Sequence, residues 1–394
     1  MWIKRDILEK IQSSSDAIQV FRGPRQCGKT SLVLKLDPEF KEISLDDPHW
    51  RELAQNDPEL FLRSFKHSKL FIDEAQYAPQ LFPSLKRRVD LLKRDETWKP
   101  HTVLRLTGSN QILMDKNVKE SLAGRASFFD LNTLSVSEIL QARKISIQDI
   151  LYLGGWPELH ATEALDSKKF LDDYINSYIE KDIVLAAGVQ KSREFLKFTK
   201  LLAGRVGEVL DLSSLGKDAG VDAKTVKDWI SILERMHIIS LVPPYFSNLS
   251  SRLIKSPKVY FIDTGLACRL QGWTSAETIL TSPQQGHLFE NLVFSEIFKM
   301  NQNYQLGLDI YHWRSKDGEE VDFLIRFNIN KFLFLEVKVS PQNAKSMEKN
   351  NEVKKVFKDN PPPLVVCFQE GDSGYPAQIP IANLKEYLLR FSSL

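Results

Sequence analysis

The sequence predicts an α/β protein: a parallel-sheet core with a helical lid, a winged helix, and a second, C-terminal α/β domain. Three observations carry this expectation. An apolar strand pattern, AIQVF, runs straight into a glycine-bearing loop and then an amphipathic stretch. Midway, DLSSLGKDAGVDAKTVKDWISILERMHIISLVPPY has the spacing of helix, turn, helix and strand. Near the C-terminus, two β-prone runs flank the polar turn Asn328–Lys331, an ordinary hairpin signal.

At 394 residues the chain is too long for one ordinary core, so about two to four domains are expected. We place the divisions at 1–134, 135–205, 206–265 and 266–394. The apolar (42%) and charged (26%) fractions are those of a soluble globular protein. A net charge of +2 requires any nucleic-acid surface to be local. Cys27, Cys268 and Cys367 lie far apart without CxxC spacing, which excludes a zinc knuckle and suits a reducing cytoplasm. The charged N-terminus, MWIKRDILEK, lacks an apolar signal region, and no run is long enough for a membrane helix. The expectation is a cytoplasmic protein with no membrane contact.

After a short helix (about Lys4 to Gln12) and the strand AIQVF comes GPRQCGKTS, that is Gly23, Pro24, Arg25, Gln26, Cys27, Gly28, Lys29, Thr30 and Ser31. Strand, GxxxxGKT and helix in that order make a phosphate-binding loop. Gly23 and Gly28 let backbone amides approach phosphate oxygens, and the helix N-terminus adds its dipole. Lys29 reaches the β/γ-phosphates and the Thr30 hydroxyl ligates Mg²⁺. Some forty residues on, KLFIDEAQ is an apolar strand ending in Asp73, placed to hold Mg²⁺ through water, and Glu74, placed to polarise the attacking water. A helix (FPSLKRRVDLLKR) and another strand, TVLRLTGSN, follow. The latter ends in Ser109 and Asn110, where ATPases of the additional-strand type keep a sensor for the lytic water. Arg125, in SLAGR, either stabilises the transferring γ-phosphate, in cis or from a neighbouring subunit, or bonds a helix end. The expected cofactors are ATP and Mg²⁺, and a homo-oligomer through this core is a possible assembly.

From about Ser135 to Gly204 the chain is helical and reads as a lid, with Lys181 and Asp182 near its end. In the helix-turn-helix, Leu215, Ala219, Val221, Val226, Ile230 and Leu233 supply internal contacts. Lys224, Thr225, Lys227 and Asp228 fall on the exposed side, where a recognition helix meets DNA. Arg252, Lys255 and Lys258 add charge in the wing. Seven Lys/Arg against five Asp/Glu between Asp211 and Tyr260 give a weakly positive segment. DNA contact and a structural or protein-docking role both remain open.

GHLFENLVFSEIFKM is a helix apolar nearly all round, so Glu290 within it needs a partner. In the hairpin, a three-residue turn sets Asp322 opposite Glu336 with Cβ atoms roughly 5 Å apart, and Lys338 shares the face of Glu336. A helical Glu, a strand Asp and then Glu-x-Lys is the order of the PD-(D/E)xK nuclease core. In it Glu290, Asp322 and Glu336 hold Mg²⁺ or Mn²⁺ and Lys338 assists attack on a phosphodiester. The competing reading is an internal salt bridge from Lys338 to Asp322 or Glu336.

GPRQCGKT, FIDEAQ, LTGSN, SLAGR, LGGWPE, SYIEKDI, LIKSPKVYFIDTGLACRL, GHLFENLVFSEI and EEVDFLI…FLEVKVS together resemble the bacterial and archaeal AAA-type ATPases that carry a DUF4143 C-terminal region. The resemblance spans nearly the whole chain. It implies an ATPase core, a helical lid, a winged helix and a restriction-endonuclease-like domain. Lys181 departs from the pattern, which has Arg before Asp182; bidentate bonding is lost there if the residue meets phosphate. The leading expectation is a Mg²⁺-dependent ATPase that binds DNA, with a metal-binding C-terminal domain that cuts or merely holds it. A DNA-junction remodelling motor without cleavage and a nucleotide-controlled switch docking a protein partner are the alternatives.

Overall fold

The computed structural model describes residues 2–65, 69–109, 122–162, 164–246, 256–315, 319–340, 363–368 and 377–393, with backbone alone at 180–182 and 185–186. Its N-terminal part is a five-stranded parallel sheet of β1 (Ile18–Arg22), β2 (Lys41–Ser44), β3 (Leu70–Asp73), β4 (Leu104–Gly108) and β5 (Ala126–Asp130), in the order β2-β3-β4-β1-β5. Strands covered on both faces must be apolar throughout, and LFID of β3 and LRLTG of β4 are buried at every position. One face packs Ile18, Val20, Ile72 and Leu106 against Leu81, Leu85 and Val89 of the helix Leu81–Lys93. The other packs Phe21, Phe71 and Phe129 against Leu32 and Val33 of the helix Lys29–Leu36. Because all strands run the same way, the loops after β1, β3 and β4 open at one edge, the usual ligand crevice of such sheets. The sequence reading missed β2 and β5; Ile43 is the one fully buried residue of β2, and Phe129 that of β5, so neither has a full apolar run.

The helix-turn-helix forms as expected, from Leu212–Ala219 and Ala223–Arg235, with Asp211 and Asp222 capping the two N-termini through Ser213, Ser214 and Thr225 amides at 2.9–3.0 Å. An antiparallel ribbon of β6 (Ile239–Val242) and β7 (Lys258–Phe261) follows. The C-terminal sheet is mixed, in the order β12-β11-β10-β9-β8, from β8 (Asp309–Arg314), β9 (Glu320–Arg326), β10 (Phe332–Lys338), β11 (Leu364–Cys367) and β12 (Gln378–Pro380). The hairpin of β9 and β10 closes on Phe327 N–H donating to Lys331 O at 2.9 Å. That is the three-residue turn.

One apolar cluster runs through the lid (Trp156, Tyr178), the helix-turn-helix (Trp229, Leu233), the ribbon (Tyr260), the helix Gln285–Asn303 (Phe294) and the C-terminal sheet (Phe323, Leu335). The segments divided at 205 and 265 thus share a core. Within it Gly154 and Gly265 interlock. A Cβ on Gly154 would lie 2.0 Å from Asp263 Oδ1, and one on Gly265 would lie 2.3 Å from Leu153 O. Only glycine fits at either position.

Candidate functional site

The crevice of the parallel sheet is a cleft of about 420 Å³ lined by Arg25–Ser31 of the loop, Glu74, and an apolar wall of Trp2, Ile3, Leu134 and Pro157. Gly28, at φ 93°, turns the loop into the helix Lys29–Leu36. Lys29 is buried, its Nζ donating to Gly23 O at 3.0 Å and Pro24 O at 2.7 Å. The Thr30 hydroxyl donates to Asp73 Oδ1 at 3.0 Å, and the Thr107 hydroxyl of β4 donates to the same oxygen. Burial pushes the Asp73 carboxyl above its ordinary range, against the pull of Thr107 and Thr30, and neighbouring Glu74 adds to the rise.

Glu74 follows β3 in a left-handed conformation, φ 54°, rare for a residue with a Cβ and frequent where function over-determines the backbone. That turn brings its carboxylate to Ser109, which donates from Oγ at 2.8 Å and from its amide at 3.3 Å, with Gln76 donating to the same oxygen. Lys29, Thr30, Asp73, Glu74 and Ser109 are therefore gathered at one edge of the sheet. Asn110 lies outside the described residues, as do Arg252 and Lys255 and the Lys181 and Asp182 side chains. Arg125 forms a paired hydrogen bond with Asp90, at 2.6 and 3.0 Å, and does not line the cleft. Its Nη1 also donates to Ala123 O at 3.0 Å.

These residues fit Mg²⁺–ATP. The loop offers amides, a buried ammonium and a second cation, Arg25, to phosphates; Thr30 and Asp73 offer oxygens to the metal; the apolar wall suits a base.

Three residues that tie these elements together were given no role in the sequence, although Tyr178 and Asp263 lie in motifs quoted for the resemblance. Arg5 is buried and donates to Glu138 Oε1 at 3.1 Å, to Asn132 O at 2.7 Å and to Cys27 O of the phosphate loop at 3.0 Å. Tyr178, from SYIEKDI, donates its hydroxyl to Ser109 O at 3.2 Å. Asp263, from FIDTGL, accepts from Thr133 Oγ1 at 2.7 Å, Gly155 N at 2.9 Å and Leu266 N at 3.1 Å.

The C-terminal constellation assembles differently from expectation. Register does set Asp322 beside Glu336: pairing runs from Phe332↔Arg326 to Leu335↔Phe323, and the next step meets these two. But Asp322 Oδ2 accepts from Val337 N at 2.8 Å, and Glu336 Oε2 is bound by Lys338 Nζ at 2.9 Å. Glu290 finds its required partners in Lys258 Nζ, 3.1 Å from Oε1, and the Tyr260 hydroxyl. Burial, then the charge of Asp322, pushes Glu290 up to about 7 and Glu336 up to about 8. Among the described residues no three His, Cys, Asp or Glu side chains gather closely enough to hold a metal ion. The expected metal set Glu290, Asp322 and Glu336 is thus not supported among the described residues: each carboxylate is engaged by the chain's own donors, and the Lys338–Glu336 salt bridge is formed.

Three family models match the chain in succession: an AAA domain over residues 15–140, a domain of unknown function (DUF8612) over 144–277, and another (DUF4143) over 285–387. An uncharacterized protein of Mycobacterium tuberculosis, Rv2008c, is 27% identical over 335 residues, covering 84% of this chain and 72% of its own. One from Haemophilus influenzae is 22% identical over 376 residues, covering 87% and 88%. Among solved structures, the Walker-type ATPase of Pyrococcus abyssi aligns at 14% identity and TM-score 0.40, over 68% of this chain and 93% of that one. ORC2 of Aeropyrum pernix aligns at 12% identity and TM-score 0.32, over 75% and 92%.

Proposed function

Starting from an AAA-type P-loop ATPase that carries a C-terminal DUF4143 region, we propose that this chain couples Mg²⁺-dependent ATP hydrolysis to the remodelling of DNA. One observation supports the engine above all: Glu74, held in a left-handed turn, meets Ser109 at the edge where Lys29, Thr30 and Asp73 converge. The loop amides of Gly23–Ser31 and Lys29 hold the phosphates, while Thr30 and Asp73 hold the metal. Bound Mg²⁺ supplies Lewis-acid charge on the phosphate oxygens. Glu74 accepts the proton of the attacking water, and Ser109 fixes the carboxylate's orientation.

DNA binding rests on the winged-helix arrangement. Lys224 and Lys227 are exposed on the second helix, Ala223–Arg235. The neighbouring helix Ser192–Ala203 adds Arg193, Lys197 and Lys200, all exposed and three or four residues apart, on one face. Remodelling is favoured over cutting by the C-terminal cluster, whose carboxylates are already bonded within the chain. The reading includes a homo-oligomer through the ATPase core, in which Arg125 exchanges Asp90 for a neighbour's γ-phosphate.

The test incubates the protein with labelled duplex, single-stranded and four-way-junction DNA, in Mg²⁺ or Mn²⁺, with and without ATP. Strand exchange that needs ATP and Lys29, without shortening of strands, is expected. Shortened strands that disappear in Asp322→Ala would replace remodelling by cleavage. Absence of DNA binding at low salt would leave a nucleotide switch that docks a protein.

A further inference from the structure

We propose that Lys258 is a built-in counter-ion of the C-terminal carboxylate cluster, reaching in from the ribbon and occupying the place of a divalent metal. The metal nest is thereby shut for as long as the ribbon lies on the sheet. The inference rests on the nuclease-like reading of the cluster.

Three carboxylates from three elements lie near enough to act on one another's charge, though not as a ready-made metal cage: Glu290 from the helix Gln285–Asn303, Asp322 from β9 and Glu336 from β10. Glu336 is 4% exposed, and among the described residues its Oε1 is buried with no hydrogen-bond partner. A buried carboxylate oxygen without a protein donor is costly unless water or a cation meets it. Against this deficit the chain sets two ammonium groups. Lys338 takes Glu336 Oε2, on its own strand. Lys258 takes Glu290 Oε1 at 3.1 Å, with both side chains only 12% exposed. Tyr260, two residues along β7 and so on the same face, donates to that same oxygen. An ammonium at hydrogen-bond distance from a ligand oxygen opposes a dication there, since the two positive charges would be neighbours in a poorly screened site.

The ribbon is itself docked. Val259 O accepts from Gly207 N at 2.9 Å, and after β6 the chain joins the edge of the C-terminal sheet through Tyr245 N donating to His312 O at 2.7 Å and His312 N to Pro243 O at 3.1 Å. Lys258 cannot leave Glu290 far behind unless these bonds open. In a winged helix this ribbon is also the element that lies on DNA. Uncovering the carboxylates and engaging DNA therefore draw on one strand.

The experiment measures Mn²⁺ binding to the nucleotide-free full chain by calorimetric titration, with melting temperature as second readout. The proteins are wild type, Asp322→Asn, Lys258→Met, Lys258→Gln, Lys258→Arg and the double variant Lys258→Met/Asp322→Asn. Both neutral variants are expected to gain a saturable site at least about tenfold tighter than wild type, with Mn²⁺ raising their melting temperatures. Lys258→Arg is expected to behave as wild type, and the double variant to lose the gain. The two neutral variants give independent readings should one of them fold poorly. Wild type binding Mn²⁺ at an Asp322-dependent site as tightly as the neutral variants would overturn the counter-ion while leaving the metal nest standing. Binding in none of the proteins would overturn both.

Discussion

Glu74 shows how far a local pattern carries. Its place after an apolar strand marked it as the residue that polarises water, and the chain there adopts a left-handed turn that aims it at Ser109. Replacing it by Gln keeps shape and hydrogen bonding but removes the base. ATP turnover of Glu74→Gln is expected to fall by roughly 10²–10⁴-fold in single-turnover assays, with nucleotide binding retained and Asp322→Ala unaffected. Equal turnover in wild type and Glu74→Gln would refute the assignment. Lys29, Thr30, Asp73 and Glu74 were legible because each pair closes a short strand-end motif, and a parallel sheet brings such strand ends to one edge. Arg5 was not. Its partners Asn132 and Glu138 lie more than a hundred residues away, and nothing in MWIKRD announces them.

The helix Gln285–Asn303 was legible as a buried element from its all-round apolar pattern, and the hairpin of β9 and β10 from a turn that sets its own register. What those patterns could not show is the polar traffic of the helix. Glu296, 2% exposed, accepts from Val136 N at 2.7 Å and Ser137 N at 3.3 Å at the start of the helix Val136–Ala142. Lys299, one turn on, donates to Leu134 O at 2.9 Å. Burial pushes Glu296 from 4.5 up to about 7, with the Val136 amide and then Lys299 pulling it back and Glu138 raising it. Between those two pH values the folded chain keeps a proton that the unfolded chain has lost. This group's contribution to stability therefore falls as pH rises through that window and levels off above about 7. Glu296→Gln still accepts from Val136 but does not titrate. In urea unfolding it is expected to match wild type near pH 5 and to exceed it near pH 8 by on the order of 2 kcal/mol. A difference that is the same at both pH values would rule out the titration.

Across the whole molecule, motif boundaries and structural boundaries diverge. The motifs read as four modules, yet one apolar cluster crosses the lid, helix-turn-helix and C-terminal sheet, and the chain's two ends meet where Lys385 Nζ binds Asp6 at 2.8 Å. Arg5 adds a tie from the phosphate loop to the lid. Arg5→Met leaves Glu138 buried without its cation and two carbonyls without their donor, a cost of about 3–5 kcal/mol. Calorimetry is expected to show the melting temperature falling several degrees, together with weaker ATP binding, since Cys27 O loses its anchor. A melt unchanged from wild type would sever that tie. Pairings of this kind depend on tertiary closure, which is why they were invisible in a linear reading. The interlock of Gly154 with Asp263 and of Gly265 with Leu153 has a consequence for inheritance. Each half is shaped to the other's missing side chain, so a chimaera that crosses over between residues 154 and 265 must receive matching halves or jam. Recombination among relatives should leave the two segments travelling together, and a designer who wishes to graft a new helix-turn-helix must cut inside that span, between but not through its two ends.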